Sequence, residues 1–242
     1  INMHQLRLST GKRLNSAGDD PAGLTIARRL DARARSLSQA LANVGESQNV
    51  LAVAEGGANN IQELLVQMRD KVVQAANDTL GTAERSAIQQ QLVELQIEVD
   101  QIVNQTQWNS QILLTGRTMT FQTGADGIDT TIFTVTGAFN SGALGLTLLS
   151  VGNQSLASGS LGTIDAALVS VSTLLQGIGA KIQRLTIKES TVSTLFTNVE
   201  AARSRIEDAD IAQEQLNASK LLILQQTAIA MLTQANVQPS SI

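Results

Sequence analysis

A long heptad repeat of apolar residues in the C-terminal half constrains this chain more than any other feature. From residue 161 to 185 the apolar positions are separated by alternating steps of three and four, and the phase resumes after Glu189 interrupts it. This spacing predicts an α-helix whose apolar stripe must be covered by partner helices. The stripe consists of Leu161, Ile164, Leu168, Val171, Leu175, Ile178, Ile182, Leu185, Val192, Phe196 and Val199. Gly177 and Gly179 weaken the helix but predict the close approach of a neighbour.

Partner stripes occur in the N-terminal half. One follows the same rhythm from Leu30 to Ala75, and the short step from Leu51 to Ala54 predicts local overwinding. If residues 24–79 form one helix, it is about 84 Å long. A third stripe runs from 88 to 102, with Thr82 as its predicted N-cap. The pattern predicts a mainly α fold, a long antiparallel helical rod resembling a coiled-coil bundle.

The middle of the chain differs in character from both ends. Residues 115–163 hold nine of the 18 glycines, and 119–122 and 131–136 alternate apolar with polar residues. Alternation of this kind is typical of half-exposed strands, and 124–129 supplies turn residues. We therefore predict a small β-hairpin region over 118–136 at one end of the rod. A looser, exposed loop should follow to about residue 160.

The composition excludes many kinds of chemistry. The chain has no Cys and a single His, His4, on a terminal segment without nearby ligands, so no catalytic, cofactor or metal site is expected. Its 17 basic and 21 acidic residues give a net charge of −4, which offers no general reason to bind nucleic acid. The longest aliphatic run, 221–224, is far shorter than the roughly 20 apolar residues of a membrane span. We predict a protein that is not an enzyme and binds neither nucleic acid nor membrane.

Several polar residues are predicted to shape the helix ends. Asp19 and Asp20 form a turn and an N-cap ahead of Pro21. A break between two helices is expected at 207–210. Trp108 should fill the end of the helical bundle. The acidic residues at the break, Asp208 and Asp210, are candidate partners, within the chain or on a neighbouring subunit, for the basic residues Arg28, Arg29 and Arg33.

Segments between the stripes resemble the signatures of bacterial flagellins. Their order along the chain is also that of the family. The N-terminal signature is LSTGKRLNSAGDDPAGLTIARRL at 8–30, and the C-terminal one is ARSRIEDADIA at 202–212 with ILQQTAIAMLTQANVQPSSI at 223–242. The segment that enters the hairpin is NQTQWNSQILLTG at 104–116 with FQTGADGIDTTI at 121–132.

This resemblance implies a structural subunit that self-assembles helically into the flagellar filament used for swimming. It implies a core domain over 24–207, including a β region at 118–160, and incomplete inner-tube segments over 1–23 and 208–242. It further implies secretion to the extracellular flagellum, with an export chaperone and the filament cap as partners. Since much of the family's N-terminal helix is absent here, we expect the chain as written to stay largely monomeric.

The sequence is also compatible with three further features. The hook–filament junction protein shares the same plan, although SRIEDADIA and QANVQPSSI favour flagellin. A cell-surface binding protein or adhesin built on the same scaffold would use the loop at 137–160. Finally, the surroundings of Arg69 and Glu98 resemble the surface that a host Toll-like receptor reads in some flagellins. Lys71 departs from that pattern.

Overall fold

The computed structural model describes residues 1–237, and the C-terminal five residues of the last signature lie outside the described residues. Within that range, the chain forms five α-helices and four short strands, which confirms the mainly α prediction. The helices are α1 Asn2–Thr10, α2 Pro21–Ala75, α3 Thr82–Gln105, α4 Gln154–Glu207 and α5 Ile211–Val237. The strands are β1 Gln107–Trp108, β2 Gln111–Ile112, β3 Thr118–Gln122 and β4 Thr130–Thr134, and a 3-10 helix spans Leu146–Leu148.

The chain divides into two compact units. One comprises residues 39–192, and the other combines 1–38 with the described part of 193–242. The divisions fall inside α2 and α4. The assignment of 24–207 to a core domain, with 1–23 and 208–242 apart from it, therefore stays a prediction.

The stripes predicted on α2 and α3 form the core of the 39–192 unit. In the second half of α2, every predicted stripe position is fully buried: Ala54, Ala58, Ile61, Leu65, Met68, Val72 and Ala75. On α3, Ile88, Leu92 and Val99 are also buried, whereas Leu95 and Ile102 pack partly buried against the same core. The helical period identifies these positions because side chains three or four residues apart share one face.

On α4 the predicted stripe lies along one edge of the buried face, so only every second stripe position is fully buried. Ile164, Val171, Ile178 and Leu185 are fully buried, while the alternate positions Leu161, Leu168, Leu175 and Ile182 are partly buried. The helix begins at Gln154, so the prediction of a loop to about 160 is wrong. Asn153 Oδ1 accepts the N–H of Leu156 at 2.8 Å, which is the geometry of an N-cap.

The polar residues that interrupt the apolar stripes of α2 and α4 contact each other. Gln48, on the stripe of α2, donates through Nε2 to Glu189 Oε2 of α4 at 3.0 Å. A paired polar position in an apolar seam favours one register over its alternatives. The close approach predicted at Gly177 and Gly179 is wrong for the described residues, because a Cβ added at either glycine meets nothing within 4 Å.

The turn between α2 and α3 corrects another prediction. Gly81, in extended backbone, is the N-cap residue of α3, and Thr82 is already helical, so Thr82 is not the cap. Arg85 stabilises the turn instead. Its Nε and Nη2 donate to the carbonyl oxygens of Ala75 and Asn77 at 3.1 and 3.0 Å. A buried guanidinium thus satisfies carbonyl groups left unpaired where α2 ends.

The predicted hairpin is confirmed, and a second one precedes it. Strands β3 and β4 pair antiparallel, with Met119 opposite Phe133. The unpredicted pair β1–β2 is joined by Asn109 and Ser110, whose φ angles of 48° and 61° match the two-residue hairpin turn that requires positive φ at both positions. Trp108 lies in β1 just after α3 and packs partly buried against the core, as predicted.

The segment after the hairpin is fixed to α3 and is partly buried. Asp100 accepts both the N–H and the hydroxyl of Ser141 at 2.7 Å, and Gln96 donates to the carbonyl of Leu146 at 2.8 Å. Gln89 bonds the backbone on either side of Ser150. The apolar residues Phe139, Leu146, Leu149 and Val151 are buried. The prediction of a loose loop here is therefore wrong, although part of the segment is exposed, including Leu148 at 82%.

One helix of the described chain, α4, is long and apolar enough to cross a membrane by length and composition. Its most apolar 18-residue window has a mean hydropathy of 1.4. Ala, Ser and Thr interrupt the aliphatic runs of this helix, so no long unbroken run marks it in the sequence. Of that window 28% is buried inside the protein, and Ile164, Val171 and Ile178 of this helix are fully buried.

Candidate assembly surface

The two ends of the chain are joined by backbone hydrogen bonds. The segment after α1 runs beside the break between α4 and α5. Arg13 N–H donates to the carbonyl of Glu207 at 2.7 Å, and Ala209 N–H donates to the carbonyl of Gly11 at 2.9 Å. Gly11 has φ 70°, a left-handed conformation that glycine adopts without strain and that ends α1. The predicted break at 207–210 is confirmed, since α4 ends at Glu207 and α5 begins at Ile211.

Carboxylates cap the helices that leave this junction. Asp19 Oδ2 accepts the N–H groups of Ser16 and Asn15, and these bonds lower the pKa of Asp19. Asp20 Oδ1 accepts the N–H of Gly23 at 2.9 Å, which confirms the turn and N-cap predicted ahead of α2. Asp210 plays the same part for α5, through Gln213 N–H at 3.1 Å.

Glu214 ties α5 to α1. One carboxylate oxygen accepts Arg7 Nη1 at 3.1 Å, and the other contacts His4 Nδ1 at short range. Glu214 is 8% exposed. The expectation that His4 has no nearby partner is therefore wrong. Its partner lies 210 residues away in sequence, so nothing local to His4 indicates the contact.

Acidification is expected to loosen the contact between α1 and α5. The hydrogen bond from His4, together with Arg7, lowers the pKa of Glu214 below its ordinary 4.5. Because the folded-state pKa is depressed, the stabilisation is complete above pH 4.5 and is lost as the pH falls through the lowered pKa. Backbone NMR signals of α1 followed below pH 4.5 should report the loss. Glu214→Gln should lack this acid dependence, and an equal response from it would refute the assignment.

The rest of α5 leaves its apolar side chains in solvent. Every residue from 222 to 235 is exposed. Leu224 is 53% exposed and Met231 68% exposed. The other large apolar residues of this stretch are Leu222, Ile223, Ile229 and Leu232, and Met3 and Leu6 of α1 are also exposed. Contiguous apolar surface of this kind marks an interaction site.

Of the basic and acidic residues predicted to pair, Arg28 and Arg29 have no hydrogen bond or ion pair to Asp208 or Asp210 within the described residues. Asp208 accepts the hydroxyl of Ser204, and Asp210 caps α5. Arg28 and Arg29 are exposed on α2, and Arg33 has a partner in the structure. The nearby ion pairs join Arg203 with Glu200, Glu207 and Asp31. A contact from Arg28, Arg29 or Arg33 to a neighbouring subunit stays a prediction.

Arg69 and Glu98 lie in the other unit. Arg69 Nε donates to Asp165 Oδ1 of α4 at 2.8 Å, and both side chains are about half-exposed. This hydrogen bond to Asp165 raises the pKa of Arg69. Glu98 is exposed on α3. No group of three or more His, Asp or Glu residues within 1–237 is arranged to hold a metal ion.

Comparison with known proteins identifies the class. Models of the bacterial flagellin N-terminal and C-terminal helical regions match residues 1–118 and 161–242. Flagellin FlaB1 of Treponema pallidum is 32% identical over 98% of this chain and 88% of its own length. A flagellin of Halalkalibacterium halodurans is 33% identical with the same coverage. The flagellar filament 33 kDa core protein of Treponema phagedenis is 31% identical, over 100% of this chain and 91% of its own.

Solved structures share the fold. Bacillus cereus flagellin matches with a TM-score of 0.56 and 22% identity, over 67% of this chain and 94% of that one. A chain described as a flagellar hook-associated protein from Vibrio parahaemolyticus matches with a TM-score of 0.66 and 16% identity, over 78% and 100%. Likenesses at this identity concern the fold alone.

The helical fold and the apolar surface of α5 define a structural subunit, a protein that completes its packing within an assembly. The family models and the curated relatives show that the chain belongs to the bacterial flagellin family. It is a structural subunit of the bacterial flagellar filament, an extracellular organelle of motility. The curated relatives are filament proteins, which favours the filament over the hook–filament junction.

Proposed function

We propose that residues 1–23 and 208–242 carry the contacts through which subunits stack into the inner tube of the filament. The observation that supports this is the exposure of every residue from 222 to 235 on α5, large apolar side chains included. Fully burying one such side chain stabilises an assembly by about 1.5–3 kcal/mol. A helical polymer repeats that gain at every subunit.

Hydrogen exchange compared between free subunits and filaments tests this proposal. Slower exchange in the filament is expected throughout α5 and in α1, because their exposed faces become covered by neighbouring copies. The core of 39–192 is buried in the free subunit, so its exchange should be slow in both states, and it serves as the internal reference. Filaments that protect only the surface of 39–192, and leave α5 exchanging freely, would disprove the role of the ends.

Secretion and its partners follow from the same role. We infer that the subunit is exported unfolded through the flagellar secretion channel, with the help of an export chaperone, and is added with the filament cap as partner. The names of the filament relatives and the absence of Cys from the chain support this inference. Loss of the protein from the medium of a strain lacking the flagellar export apparatus, with retention in cell extracts, is the expected result.

We also propose Arg69, with Glu98, as the contact for a host Toll-like receptor. The partial exposure of Arg69 supports it, whereas the hydrogen bond to Asp165 and the presence of Lys71 work against it. In a receptor reporter assay, Arg69→Ala should reduce the response about tenfold or more, as loss of a charged hydrogen bond does. Arg35→Ala, at an exposed arginine of the other unit, is the control. Equal responses from all three proteins would exclude the contact.

A surface-binding role is not favoured by the described residues. That alternative depended on an exposed loop at 137–160. Phe139, Leu146 and Val151 of this segment are buried, and α4 begins at Gln154. That the chain binds neither nucleic acid nor membrane stays a prediction.

A further inference from the structure

A basic cavity of about 400 Å³ lies within the unit formed by the two chain ends. We define it by six charged lining residues, four cations and two carboxylates: Lys12, Arg28, Arg35, Arg203, Asp31 and Glu207. The lining charge is therefore +2, the difference between four and two. Leu14 and Ala27, which are 3% and 2% exposed, also line the cavity.

Both carboxylates of the basic cavity are already engaged. Asp31 accepts Arg35 Nε at 2.9 Å, and Glu207 accepts Arg203 Nη1 at 3.1 Å. Lys12 Nζ also donates to Glu207. Glu200, which pairs with Arg203 from outside the lining, reduces the local charge only to +1.

Arg28 differs from the other three cations. Within the described chain it has no hydrogen bond or ion pair, although it lines the same cavity. Because the two lining carboxylates are bonded to the other three cations, the guanidinium of Arg28 leaves the cavity with a net positive charge. Arg28 is exposed, so its guanidinium is open to an anion from solution or from a neighbouring molecule.

We propose that the basic cavity binds one oxyanion, a carboxylate or a phosphate group, through the guanidinium of Arg28. The planar fork of an arginine matches two oxygens of such a group. Lys12, Arg35 and Arg203 add to the attraction without leaving their own partners. The oxyanion is supplied either as a free anion or as a carboxylate of a second subunit.

Inorganic phosphate titrated into the unassembled protein at constant ionic strength tests the site by calorimetry. Arg28→Gln should weaken phosphate binding about tenfold or more, since a charged hydrogen bond is lost. Arg29→Gln, which removes the same charge one residue away and outside the cavity lining, should bind as the unaltered protein does. Arg28→Lys keeps the charge without the fork and should be intermediate. No saturable binding, or equal binding by the first two variants, would overturn the proposal.

Seeded filament growth then identifies the source of the oxyanion. If a neighbouring carboxylate occupies the cavity, saturating phosphate and Arg28→Gln should each slow growth, and Arg29→Gln should not. Unchanged growth would show that a free anion occupies the cavity. Slowed growth and unchanged growth are both compatible with an anion site and differ only in the source of the anion. The titration does not require assembly, so it distinguishes failure of this site from failure of the proposed role of the chain ends.

Discussion

In the full-length protein, replacing Leu224 with Glu is expected to abolish elongation of filament seeds while leaving the free subunit folded. Leu224 is 53% exposed, on a part of α5 where every residue faces solvent, so the subunit tolerates a charge there. In the filament, the proposed packing would bury that carboxylate without a partner. A buried unpaired charge costs several kcal/mol, and in a polymer the cost recurs at every added subunit.

The control for this variant lies on the same helix. Gln226 is two residues further on, about 200° around the helix axis, and Gln226→Glu adds the same charge on the opposite side. We expect filaments of this control to lengthen on seeds at a rate close to that of the unaltered protein. Equal growth by Leu224→Glu would show that this side of α5 makes no assembly contact. Circular dichroism of both variants excludes unfolding as the cause.

Gly57→Ala is expected to cost about 1–3 kcal/mol of unfolding free energy, the usual penalty for overpacking a core. A Cβ at Gly57 would lie 2.2 Å from Oγ1 and 3.0 Å from Cβ of Thr106. Thr106 is 7% exposed at the end of α3, and its hydroxyl is bonded to the carbonyl of Ile102, so it has little freedom to move away. The adjacent Gly56→Ala should instead stabilise by up to about 1 kcal/mol, because nothing lies within 4 Å of the added methyl group.

Thermal or urea unfolding measures the free energy of unfolding of Gly56→Ala and Gly57→Ala, which should rise in the first variant and fall in the second. A double variant, Gly57→Ala with Thr106→Ala, should recover part of the loss, since it removes Oγ1 and Cγ2 of Thr106, the two nearest atoms. If Gly56→Ala and Gly57→Ala change stability equally, the close approach between α2 and Thr106 is not present in solution.

Periodicity predicted the helices well because burial on a helix repeats every three to four residues. Ile61, Leu65 and Met68 are all fully buried, as their spacing requires. The alternation in β3 and β4 predicted the hairpin for a similar reason. In both cases the pattern lies within a single element, and the spacing of the residues alone determines which side chains share one face of that element.

The failures concern features that depend on partners far away in sequence. The segment after β4 is held by Asp100, Gln96 and Gln89, polar residues of α3 whose role depends on a loop that returns 41 to 62 residues later. The Glu214 contact with His4 and the lining of the basic cavity around Arg28 arise in the same way. The hairpin between β1 and β2 did carry a local signal, Asn109 followed by Ser110 at the two turn positions.

Immunogold electron microscopy of intact cells, with an antibody against residues 118–160, tests most directly whether this chain is a filament subunit. Label along the whole length of the filament is the predicted result. Label confined to the hook end of the filament would instead indicate the junction protein. Label on the cell body with bare filaments would contradict the filament role and indicate that the flagellin fold serves another purpose at the cell surface.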